Sequence, residues 1–242
     1  MPIACFFIAL IAYGNLRGVK ESGKVFAVPT YFFILNMGAL LSIGLWKYLG
    51  SDLPVVGLLP EAVEEFRLHG ATDSLFYGAG IFGLLHAFAS GGAAVTGVEA
   101  ISNGVPAFRQ PAWKNARQTL VMMGIGLGIM FLGLSALASA TKVGPSFTGT
   151  PTVIAQVGEA VYGSGALGDV LFYSLQAGTM LILIMAANTG FADFPRLASF
   201  QAGDRFLPKQ MTKRGHRLVY SNGVIVLAGV AMLLVIATRG IV

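Results

Sequence analysis

Residues 84–106 read Leu84-Leu85-His86-Ala87-Phe88-Ala89-Ser90-Gly91-Gly92-Ala93-Ala94-Val95-Thr96-Gly97-Val98-Glu99-Ala100-Ile101-Ser102-Asn103-Gly104-Val105-Pro106. They lie inside a long run, Ser74 to Phe108, in which Glu99 is the one charged side chain. A helix crossing ~30 Å of hydrocarbon needs about 20 apolar residues, and this run is long enough. Its middle is nevertheless a poor helix. Glycine costs about 1 kcal/mol relative to alanine in a helix interior, and Gly91, Gly92 and Gly97 fall close together around the β-branched pair Val95-Thr96. A carboxylate near the bilayer centre costs about 2.5–3.5 kcal/mol on insertion scales, so Glu99 needs a cation, a proton or a water-filled cavity beside it.

Breakers and acid belong together. Backbone unwound at membrane depth is tolerated only where protein or a polar cavity satisfies it. The pattern predicts a broken helix near residues 91–98 that forms a binding site. Its polar wall is the backbone of Ala94, Val95, Thr96 and Gly97, the Thr96 hydroxyl is a ligand, and Glu99 supplies negative charge. Protonation of Glu99 would cancel its attraction for a cation, which makes proton coupling chemically simple; desolvation raises a carboxyl pKa toward a usable range. The competing reading treats the glycines as close-packing surfaces and Glu99 as a partner for a neighbouring helix, and for Gly124, Gly126 and Gly128 in the next hydrophobic run that packing reading is preferred.

The rest of the chain supports a membrane setting. Of 242 residues, 55% are hydrophobic and only 11% charged, with a mean hydropathy of +0.73. Soluble chains carry about 25% charged residues, so most of this surface faces lipid. Six hydrophobic segments are predicted, at 2–15, 25–46, 74–108, 118–141, 170–192 and 218–238. They make one transmembrane domain, an all-α polytopic helical bundle. The first is short, lacks a basic leader and a small-residue cleavage site, and is read as the end of a span rather than a secretory signal. The chain is therefore expected to be a fragment.

Orientation follows from the cations, because lysine and arginine near span ends are retained in the cytoplasm. Loop 15–24 holds Arg17, Lys20 and Lys24; loop 109–117 holds Arg109, Lys114 and Arg117; loop 193–217 holds Arg196, Arg205, Lys209, Lys213, Arg214 and Arg217. Twelve of the sixteen basic residues thus mark three cytoplasmic loops, in an integral protein of the plasma (inner) membrane with both chain ends outside. The same distribution excludes a nucleic-acid partner despite the net charge of +5, since no single solvated face gathers the cations. One cysteine, Cys5, excludes an intrachain disulfide framework. No GxSxG or HExxH motif and no Cys/His/carboxylate cluster points to an enzyme, a metal site or a resident cofactor.

Three stretches carry a resemblance. Thr96-Gly97-Val98-Glu99-Ala100 with Ile101 to Phe108 and Trp113-Lys114-Asn115-Ala116-Arg117 resembles the sixth span and following loop of amino acid–polyamine–organocation (APC) permeases. Pro195 to Lys209 resembles the cytoplasmic end of that family's eighth span, and Asn15 to Gly23 its fourth-to-fifth connection. The order and spacing are similar to the branch that includes KimA-type potassium–proton symporters. The resemblance implies a partial LeuT-like fold covering about spans four to nine of twelve, and proton-coupled symport of a small solute, an amino acid or potassium. It places Thr96 and Glu99 on potassium-coordinating positions. It also implies missing spans, supplied by the remainder of a longer protein or by a second protomer. A truncated or split permease without transport of its own is the alternative. Two positions depart from other family members: no aromatic gate stands at Gly92 to Ala94, and Phe33 falls where some proton-coupled members carry a lysine.

Weaker candidates complete the set. His86 precedes the expected break by about two turns and could shuttle protons, or it could be a packing residue. Asn188 and Thr189 could line a coupling-ion path, or bond between helices. Asp193, Arg196, Asp204 and Arg205 look like a charge network that anchors a loop or gate.

Overall fold

The computed structural model describes residues 2–17, 23–57, 81–92, 105, 108–144, 146, 150–213 and 220–238. Among these the secondary structure is helical, without strands. The α-helices are α1 (Pro2–Leu16), α2 (Gly23–Leu49), α3 (Ile81–Gly91), α4 (Ala112–Thr141), α5 (Val153–Tyr162), α6 (Ala166–Gly203) and α7 (Ser221–Ala237), with a short 3-10 turn at Lys209–Thr212. Ala27–Leu49 within α2, and the whole of α4 and α6, are long and apolar enough to cross a bilayer. Their large side chains face outward, among them Phe131, Leu132 and Leu183. In water such a surface would be an aggregation liability; in lipid it is the solvated face.

Two compact units divide the chain, Met1–Met37 with Ser164–Val242, and Gly38–Gly163. In the first, α1, α6 and α7 close on a core of Ala12, Phe191, Val224 and Ala228, with Ile8, Ile11, Leu16 and Leu227 packed against it. Small residues allow this approach. A Cβ on Gly223 would stand 2.7 Å from Cβ and 2.8 Å from Cα of Pro195, so α7 crosses α6 where only a hydrogen fits. Gly178 plays a milder part: its Cβ would lie 3.5 Å from Cα of Phe33, placing α2 against α6.

In the second unit Leu41 packs over Gly133, and Leu137 and Val161 pack over Gly44. The last turn of α4 is finished by the chain that follows α2. Thr141 keeps its hydroxyl on the Leu137 carbonyl at 2.8 Å, while its own carbonyl accepts from the backbone N–H of Val56 at 3.0 Å and of Gly57 at 3.3 Å. These bonds satisfy a carbonyl that a helix end would otherwise leave orphaned. Lys142 then caps α4 in the left-handed conformation, at φ 56°. A cation there also suits the negative end of the helix dipole.

α5 was not foreseen from sequence. The Thr152 hydroxyl accepts from the Ala155 N–H at 3.3 Å and starts it, and Ala155, Gln156, Val157, Gly158, Ala160 and Val161 are buried. Gln156 is anchored by donating to the carbonyls of Gly144 at 2.9 Å and Pro151 at 3.1 Å. Two helices also outrun their hydrophobic segments. α4 begins at Ala112 rather than 118, and α6 continues to Gly203. Residues 193–203, taken as loop from their charges, are therefore helix: a polar surface outside the hydrocarbon does not stop backbone hydrogen bonding from propagating.

Candidate functional site

α3 runs through Gly83 and ends at the glycine pair Gly91-Gly92. α-Helical geometry stops at Gly91, and Gly92 adopts a 3-10 conformation. A Cβ added at either glycine would meet no described atom within 4 Å. Among the described residues the same holds for Gly124, Gly126 and Gly128, whereas Gly133 of α4 packs closely. The face of α4 turned to α2 carries Gly133 and Leu137, and Gly124 and Gly128 are turned away from it; Gly126 shares the angular position of Gly133 two turns earlier and meets no described atom within 4 Å.

Ala94, Val95, Thr96, Gly97 and Glu99 lie outside the described residues. His86 is within α3, five residues before Gly91, and its side chain is likewise outside the description. The α6 candidates are fully placed, in the first unit, whereas α3 belongs to the second. Asn188 accepts a hydrogen bond from Asn15 of α1, Nδ2 to Oδ1 at 2.8 Å, and Asn15 also donates to the Ile11 carbonyl at 3.0 Å. Thr189 donates its hydroxyl to the Met185 carbonyl at 3.2 Å, one turn back. Asn15 was not singled out as a site residue. Its signal, an amide in the last turn of an apolar helix, becomes specific only when a partner 173 positions away is known.

The charges at the end of α6 do not form the network their spacing suggests. Asp193 and Arg196 lie on the helix, Asp204 caps it and Arg205 follows at φ 68°. Among the described residues no ion pair joins these four. No cluster of His, Cys, Asp and Glu able to hold a metal occurs among the described residues either.

A family model described as amino acid permease matches residues 1–240. The potassium transporter KimA of Bacillus subtilis (strain 168) is 39% identical to this chain over 240 residues, which is 99% of the chain and 37% of that protein. The chain thus spans little more than a third of that relative's length.

Proposed function

This chain belongs to the amino acid permease family of the APC superfamily, a family of transporters and not of enzymes, and from that premise we propose that it is part of a proton-coupled secondary transporter whose cargo is potassium. The observation that carries the choice of cargo is the 39% identity to a potassium transporter along the whole chain. The chemistry of residues 94–99 supports it. A dehydrated potassium ion needs several oxygen ligands and a compensating charge; the backbone of Ala94, Val95 and Gly97, the Thr96 hydroxyl and the Glu99 carboxylate supply both kinds. Glu99 also takes the proton: loaded with a proton it releases the cation, and ionised it holds one. The basic loops 15–24 and 109–117 and the stretch 193–217 face the cytoplasm of the plasma membrane in this reading.

A second reading has its own support. The matching family model describes amino acid permeases, and a zwitterionic amino acid would place its ammonium at Glu99 and its carboxylate on freed N–H groups of the same stretch. Uptake into proteoliposomes of the complete protein separates the two. We expect potassium uptake driven by an imposed pH gradient, saturable and unaffected by a panel of amino acids. Glu99→Gln is expected to weaken potassium affinity at least tenfold and to flatten the pH dependence. Unchanged affinity and pH profile in that variant would remove Glu99 from the site. Amino acid uptake without potassium uptake would favour the second reading. Because the chain spans 37% of its relative, the 1–242 chain alone is expected to be silent in the same assay.

A further inference from the structure

α6 is longer than a membrane is thick. Its 38 residues extend about 57 Å at 1.5 Å per residue, against ~30 Å of hydrocarbon. The uncharged stretch Val170 to Ala192 fills the hydrocarbon, so the helix from Asp193 to Gly203 and the turn after it leave it. A segment leaving into water should be polar on its free side. This one is not: Leu197 is 50% exposed, Phe200 59% and Phe206 81%. Interleaved with them are Arg196, Arg205, Lys209 and Lys213, all exposed and with no ion pair among the described residues. The acids of the segment are Asp193 and Asp204, so cations are in excess.

The backbone holds this composite surface in place. Buried Pro195 sits under Gly223 of α7, and Ala198, Ser199 and Ala202 are buried on the face toward the core. Asn222 donates to the Gln210 carbonyl at 2.7 Å, which ties the 3-10 turn to the start of α7. A proline within the helix removes one backbone bond and eases a bend beyond it. At two other basic ends an aromatic lies beside a cation: Arg17 is 4.7 Å from the Tyr13 ring centroid, and the Lys114 Nζ is 5.8 Å from that of Trp113.

We propose that the end of α6 and the following turn form a membrane-surface anchor, with Phe200 and Phe206 in the headgroup layer and Arg196, Arg205, Lys209 and Lys213 on anionic lipid headgroups of the leaflet on the basic side. Alternating apolar and basic groups at a span end suit that layer, whose acyl boundary accepts rings while its phosphates accept cations. Each cation beside an anionic surface contributes about a fivefold gain in partition at physiological salt. The anchor depends on the chain spanning a bilayer and not on what it carries.

The test uses the complete protein in vesicles. With Cys5→Ser, a spin label on Gly203→Cys reports depth; Gly203 is exposed and a Cβ there meets nothing within 4 Å. In vesicles containing one part phosphatidylglycerol to two of phosphatidylcholine, the label is expected to collide more with oxygen than with a water-soluble nickel chelate. Arg205→Gln/Lys209→Gln/Lys213→Gln together, or Phe206→Ser alone, should raise the nickel collision rate severalfold. Pure phosphatidylcholine should do the same. A label at aqueous accessibility in the unsubstituted background overturns the proposal. So does depth that ignores lipid charge and these substitutions, and so does shielding from both reagents in detergent as in lipid, which would mean that polypeptide covers the surface.

Discussion

The Pro195–Gly223 crossing sets a steric test of the first unit. Gly223→Ala places a methyl 2.7–2.8 Å from the ring and Cα of Pro195. Neither a proline ring nor a backbone atom can step aside as a flexible side chain does, so α7 must retreat from α6. Overpacking of this kind costs about 1–3 kcal/mol. Retreat also opens the core next to it, because Val224 and Ala228 on α7 close on Phe191 and Ala12. Gly229→Ala is the matched control on the same helix, with nothing within 4 Å of its Cβ. It is expected to be neutral, or to stabilise by up to about 1 kcal/mol through helix propensity. Gly44→Ala should fall between them: its methyl meets Leu137 side-chain carbons at 2.6 and 2.8 Å, and these can change rotamer.

The assay is thermal denaturation of purified protein in detergent at one heating rate, with the folded fraction read by size-exclusion fluorescence. At about 2–4 °C per kcal/mol for a chain of this size, a cost of about 1–3 kcal/mol should make Gly223→Ala melt roughly 2–12 °C below Gly229→Ala. Equal midpoints, or Gly223→Ala the more stable, would refute the crossing and with it the account of why α6 and α7 pack.

Three further outcomes follow from polar groups. Gln156→Leu removes both donors from the Gly144 and Pro151 carbonyls, and should cost about 1–3 kcal/mol in the same melts. Asn15→Ala and Asn188→Ala should be non-additive in a double-mutant cycle, with a coupling of about 0.5–2 kcal/mol; additivity would mean the 2.8 Å bond carries no energy. Burial raises the Tyr162 hydroxyl above its ordinary value of 10.0, and this group lies in α5, outside the spans. The unfolded chain then loses that proton first, so the contribution is constant below pH ~10 and stability declines as pH rises toward the native value. Tyr162→Phe should remove that decline, and the tyrosinate absorbance it deletes should titrate above 10.

The three span-length helices, in α2, α4 and α6, were readable because the signal, some twenty apolar residues without charge, is a bulk property of the solvent around the helix. Their ends were not. Trp113, Lys114 and Arg117 precede the uncharged run, yet they belong to α4 through helical hydrogen bonding that no hydropathy pattern records. α5 escaped for another reason: it is apolar but only ten residues long, too short to register as a span, and it is held by Thr152, Gln156 and contacts to distant elements. The glycines separate most clearly. Composition cannot tell Gly133, which touches Leu41, from Gly124 or Gly128 on the same helix, because what differs is the rotational position relative to a partner.

The candidate site divides along the same line. Glu99 is conspicuous because its cost in lipid is a property of one residue, and Gly91 and Gly92 because helix propensity is local. Asn188 depends on a partner. Its Oδ1 faces α1, held by Asn15, which is in turn held by Ile11. A coupling cation that drew on that oxygen would have to share it with the Asn15 amide or displace a hydrogen bond worth about 0.5–1.5 kcal/mol. An amide that fixes α1 to α6 is therefore better suited to position the scaffold than to bind and release an ion in every cycle. That argument can be checked: Asn15→Ala removes the amide from which the Asn188 oxygen accepts, so if Asn188 were a ligand, cation affinity of the complete protein would change in that variant. With Asn188 as scaffold, affinity should stay level while thermal stability falls.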